Sequence, residues 1–185
     1  MNQLMKFGAC AGIVGGGLRL AAIAIPFTPE NVWLETLYAV IDLGFLFGLI
    51  AIYLRDAEAT GRTGLIAFII ALSGIASIVG PDAQMFGINF YLAGSAVFLT
   101  GLALLAASML RYGSAQLAAI FWIASFVTGL IAAMNLLPAA FIIAGATLAC
   151  GFIVSGISVL KKSNLSDIRL SELTPRLPPP NPTKL

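Results

Sequence analysis

The chain has 185 residues, of which 59% are hydrophobic and only 10% charged, with 10 Lys and Arg, 8 Asp and Glu and no His. Soluble domains carry about 25% charged residues, so a mean hydropathy of +1.00 excludes an ordinary soluble domain. The lack of histidine removes the commonest general base and metal ligand from any catalytic scheme.

The charges cluster between six apolar runs, 6–27, 32–54, 63–80, 86–110, 115–134 and 139–160. Each is long enough to cross most or all of about 30 Å of hydrocarbon at 1.5 Å per residue. Lipid admits only helices or closed barrels, and these runs lack the alternation of barrel strands. The predicted fold is all-α: a polytopic membrane bundle of six transmembrane helices in hairpins, over 1–162, followed by a proline-rich cytoplasmic tail over 163–185.

In span one, Gly8, Gly12 and Gly16 repeat every four residues, and Gly44 and Gly48 do so in span two. Small residues at that spacing let membrane helices approach closely, and packing inside the bundle is the expected use. Ala22-Ile23-Ala24 resembles a signal-peptidase site, but Arg19 interrupts the apolar run that a signal peptide needs, so span one is expected to be retained. Gly15-Gly16-Gly17 lacks the spacing of a phosphate loop. Cys10 and Cys150 read as small packing residues rather than a disulfide or metal pair.

Thr28-Pro29 reads as the start of span two, Thr63 and Ser114 as caps of spans three and five, Gly80-Pro81 as the end of span three, and Asn135 with Pro138 as a tight connection. Lys6, Arg55, Arg62, Arg111, Lys161 and Lys162 all fall on one side of this pattern, whereas the opposite connections carry Glu30 and Asp82. The positive-inside rule therefore predicts that both termini are cytoplasmic. Tyr53 and Tyr112 suit the inner interface, and Trp33 and Tyr91 the outer belt. In the tail, 166–173 has the makings of a short helix, and 175–182 is proline-rich and expected to be extended and disordered.

The stretch Gly101-Leu-Ala-Leu-Leu-Ala-Ala-Ser-Met-Leu-Arg111, the span ending Asn135-Leu-Leu-Pro138, and the run from Gly145 to Leu160 resemble the C-terminal half of small six-helix bacterial inner-membrane proteins of unknown function. Where those carry Pro-Arg-Trp in the loop, this chain has Gly113-Ser114-Ala115-Gln116. The resemblance implies a multi-pass protein of the bacterial inner membrane and no particular activity.

The candidate site is a polar intramembrane cluster of Arg19, Glu35, Tyr38 and Asp42. An ionisable group in the membrane core costs at least about 2.5–3.5 kcal/mol on insertion scales, so it needs a partner or water. Arg19 lies about 18 Å from the inner edge of span one, and Asp42 about 15 Å from the outer edge of span two. Glu35 and Asp42, seven residues apart, share a helical face with Tyr38 nearby. Arg19 is expected to pair with Asp42 in preference to Glu35, either as a structural lock or within an outward-facing polar pocket; Asn89 and Asn135 stand where they would extend such a pocket.

No catalytic, cofactor or metal site is expected, and no nucleic-acid partner. The leading expectation is a non-enzymatic accessory protein that binds the lipid bilayer and a membrane-protein partner or a second copy of itself. The alternative is a small transporter or channel for an ion or polar solute built on the Arg19/Asp42/Glu35 cluster. A polar cavity reaching Arg19 and Asp42 would favour the second, and tight packing around them the first.

Overall fold

The computed structural model describes residues 3–25, 31–79, 84 and 85, 88–134, 137 and 139–173; of 84, 85, 88 and 163–173 it describes the backbone alone. The expected features at Thr28-Pro29, Gly80-Pro81, Asn135, Pro138 and beyond 173 lie outside the described residues.

Five helices are long and apolar enough to cross a membrane, not the six expected. They are α1 (Gln3–Ala22), α2 (Val32–Ile78), α3 (Phe90–Arg111), α4 (Gln116–Ala133) and α5 (Ala140–Leu173). A two-residue antiparallel ladder, β1 (Gln84–Met85) with β2 (Ile88–Asn89), precedes α3, so that helix begins later than the expected 86. The stretch expected as a short helix, 166–173, is helical, but as the end of α5, which runs unbroken to Leu173 instead of ending near 160.

The missing sixth helix is explained within α2. Its 47 residues would extend about 70 Å if straight. Tyr53 and Phe68 nevertheless stack with ring centroids 4.2 Å apart, although fifteen residues of straight helix would separate them by about 22 Å. The chain therefore folds back on itself, and the one non-helical residue inside the element is Gly61, at φ 56° and ψ −143°. The polar stretch from Arg55 to Arg62 forms no separate loop, because helical hydrogen bonding continues up to and after that glycine. Thr63 caps nothing there; its hydroxyl donates to the Thr60 carbonyl at 2.9 Å. Positive φ with strongly negative ψ is strained for any residue with a Cβ. Gly61→Ala is expected to destabilise the bundle by about 1–3 kcal/mol, read as a lower melting temperature in detergent; an unchanged melt would mean the reversal does not depend on this glycine.

Caps differ from expectation elsewhere too. Asn31 caps α2, its Oδ1 accepting from the Trp33 amide at 3.1 Å and more weakly from Leu34. Asn89 caps α3 by accepting from the Leu92 amide at 3.0 Å. At α4 the cap residue is Ala115, in a left-handed conformation with no side-chain cap bond, so Ser114 does not serve.

The helices close into a ring in which α1 touches α2 and α5, α2 touches α3, α3 touches α4, and α4 touches α5. The glycine repeat lies inside this ring. A Cβ on Gly48 would come within 2.8 Å of the Gly12 Cα, and one on Gly44 within 2.8 Å of the Ala11 carbonyl, so α1 and α2 meet backbone to backbone. At the centre, Phe152 of α5 stacks on Phe45 at 4.5 Å and tilts against Trp122 at 5.4 Å, all three buried. Large apolar side chains such as Ile66, Leu117, Ile120, Phe141 and Ile157 point outward and are exposed. In a chain this apolar, that inversion is what a lipid-facing surface requires.

Candidate functional site

A cavity of about 220 Å³ opens between the helices at the end of the bundle that holds the last turn of α2, the first turn of α3 and the last turn of α4. Its lining includes Ile78, Tyr91, Leu92, Leu130 and Ala133 from those turns. Arg19 from the last turn of α1, Asp42 of α2 and Gly145 of α5 also line it, while Phe45, Phe98, Leu99 and Phe126 give it apolar walls. Ser125 also lines it, its hydroxyl tying α4 to α5 by donating to the Ala144 carbonyl at 2.8 Å. Phe45 and Phe98, two of those walls, stack on Phe152 of α5, which lies one turn past Leu148 and does not itself line the cavity.

The structure brings together three of the four residues singled out from the sequence. Arg19 and Asp42 line the cavity, and Tyr38 lies beside it with the Arg19 guanidinium 5.3 Å from its ring centroid. Glu35 does not join them: it sits exposed in the first turn of α2 and is absent from the cavity wall. Arg19 and Asp42 are within electrostatic reach of each other, but among the described residues they form no ion pair, contrary to expectation. The guanidinium lies instead beside the Tyr38 ring, within cation–π range, and against Gly145, where an added Cβ would stand 3.0 Å from its Nη2 and 3.2 Å from its Nε.

Tyr91 is a cavity residue that sequence reasoning missed. It lines the wall and lies within electrostatic reach of Arg19, Asp42 and Tyr38. An aromatic at a span end reads as an interfacial anchor, and nothing local distinguishes the two uses. Asn89, expected to extend the pocket, is occupied in capping α3 and does not line it.

A second polar cluster lies at the opposite end. Arg55 and Asp56 form an ion pair with side chains only 6% and 8% exposed. Arg55 Nε donates to Asp56 Oδ1 at 2.9 Å, its Nη2 donates to Asp56 Oδ2, and its Nη1 donates to the Ser158 hydroxyl and the Ser155 carbonyl of α5. Arg55, Asp56 and Ser158 line a second recess of about 230 Å³ together with Ser114, Ala115 and Lys162. From the sequence Arg55 counted only among the basic residues on one side of the pattern, and Asp56 was not singled out. Both cysteines are free, and among the described residues no three His, Cys, Asp or Glu side chains gather as a metal site would require.

No protein-family model, no curated protein and no solved structure matches the chain. The resemblance to six-helix bacterial inner-membrane proteins therefore rests on the residues quoted for it.

Proposed function

We propose that the protein is a six-crossing membrane protein that binds a small solute of mixed polar and apolar character in the Arg19–Asp42 cavity and passes it across the bilayer. Each arm of α2 counts as one crossing. The end bearing Arg55, Arg111 and Lys162 is cytoplasmic by the positive-inside rule, with both termini on that side, and the cavity then belongs to the outer half. The bacterial inner membrane is the location that the resemblance implies.

One observation carries this reading: two opposite charges line the same cavity and, among the described residues, form no ion pair with each other. A pair serving only to dock two helices would offset its cost of insertion by direct contact. Held apart, the two groups instead offer donors and acceptors to a guest. The aromatic cluster of the lining residues Phe45 and Phe98 with Phe152 supports the same reading, since alternating access needs a site closed on one side while it is open on the other. A partner-binding accessory role, first expected from the sequence, calls for this pair to be packed away, so the cavity favours the solute reading.

The test is access from water. In a background of Cys10→Ala and Cys150→Ala, Ser95→Cys, which lines the cavity, is expected to react with a membrane-impermeant thiol reagent added outside intact cells. Glu58→Cys, beside the Gly61 reversal, should react only after permeabilisation. Labelling of Glu58→Cys from outside would reverse the orientation, and an inert Ser95→Cys would mean a dry cavity and an end to the solute reading.

A further inference from the structure

The two charged walls define the guest that satisfies both, an inference that rests on the solute reading above. A guanidinium has five N–H donors around its edge. Tyr38 and Gly145 lie beside the Arg19 guanidinium, and among the described residues no oxygen accepts a hydrogen bond from it. Asp42 likewise receives no hydrogen bond among the described residues, although a carboxylate has room for about four. Both unfilled groups face one space.

Charge decides between classes of guest. An anion would suit Arg19 and be repelled by Asp42, and a cation the reverse, each in surroundings of low dielectric where the mismatch is costly. A neutral amide could meet both walls, but bonds between two ionised partners are roughly twice as strong as neutral ones. A guest that carries an ammonium and a carboxylate answers both walls and brings no net charge. The remaining walls, Phe45, Phe98, Leu99 and Phe126, call for an apolar body. Size narrows it further. An apolar cavity of roughly 150 Å³ holds a benzene ring, and this one, at about 220 Å³, has room for such a body and a small head group.

We infer that the cavity binds a zwitterionic α-amino acid with an apolar side chain, its carboxylate on Arg19, its ammonium on Asp42 and its side chain against the phenyl walls. Gly145 matters here because any side chain at that position would push the guanidinium off its seat.

The test uses the full chain purified in detergent. L-leucine and L-phenylalanine are titrated by calorimetry and by thermal shift against leucinamide, which lacks the carboxylate, and N-acetyl-leucine, which lacks the ammonium. The amino acids are expected to bind and raise the melting temperature, with both controls weaker by about tenfold or more. Arg19→Gln should weaken leucine by a similar factor and erase its advantage over leucinamide; Asp42→Asn should erase its advantage over N-acetyl-leucine. The comparison among ligands is made on the unaltered protein, so it does not depend on either variant folding. If either control binds as well as leucine, and loses that binding in Arg19→Gln, the zwitterion is wrong while the solute reading stands. If none of the four binds, the zwitterion is wrong, and the labelling of Ser95→Cys decides whether the solute reading falls with it.

Discussion

Asp56→Ala is expected to destabilise the protein by about 3–5 kcal/mol, because it leaves a guanidinium buried without its counter-charge. The side chains of the pair are 6% and 8% exposed, so solvent cannot take the place of the lost carboxylate. Arg55 also bridges to Ser158 and to the Ser155 carbonyl, so losing its anchor loosens α2 from α5. Replacing both members by Leu should recover much of the loss, since a packed apolar pair avoids desolvating two charges. Asp42→Ala should cost far less, because Asp42 forms no ion pair with Arg19 and borders a cavity. Thermal unfolding in detergent, followed by tryptophan fluorescence, ranks the variants. Equal melting of Asp56→Ala and the unaltered protein would show that the pair is not a structural tie.

The second large effect lies at the meeting of α3 with the second arm of α2. A Cβ on Gly101 would stand 2.5 Å from the Ala71 Cα and 2.8 Å from its Cβ, and the first of these is backbone that cannot turn aside. Gly101→Leu therefore has to push the helices apart, at a cost of about 3 kcal/mol. Gly17, around which nothing lies within 4 Å, is the matched control. Gly17→Leu should stay within about 0.5 kcal/mol of the unaltered protein. The readout is the monodisperse fraction after detergent extraction together with the melting temperature. If the two substitutions behave alike, the close helix contact does not limit stability.

Much of the candidate site was legible before any coordinates, for a physical reason. A charge inside an apolar run is so costly in lipid that Arg19 and Asp42 announce themselves, and depth counting puts them near one level. Tyr38 followed from helical spacing alone. Glu35 was drawn in by the same spacing, yet it lies in the first turn of α2 and stays exposed. Tyr91, Arg55 and Asp56 were not legible, because a tyrosine or arginine at a span end is ordinary. Their roles depend on helices far along the chain: Arg55 is buried only because Ser158 arrives beside it from 103 residues away.

The sequence by itself determined the class of protein, an all-helical apolar bundle with its basic residues other than Arg19 on one side of the hydropathy pattern, because hydropathy and charge are properties of the residues in order. It also pointed to packing inside the bundle for the glycines, since four-residue spacing aligns small residues on one face; that Gly8 and Gly12 meet α2 while Gly16 meets α5 came from the tertiary structure. Tertiary structure alone decided the rest. The break between the second and third runs contracted to a single residue, because Gly61 can adopt a conformation that reverses the chain without a loop. Arg19 was brought against Gly145, which lies 126 residues beyond it, and beside Tyr38. Whether two opposite charges lock together or line a shared cavity depends on α3, α4 and α5 packed around them, and no local pattern in the chain records that.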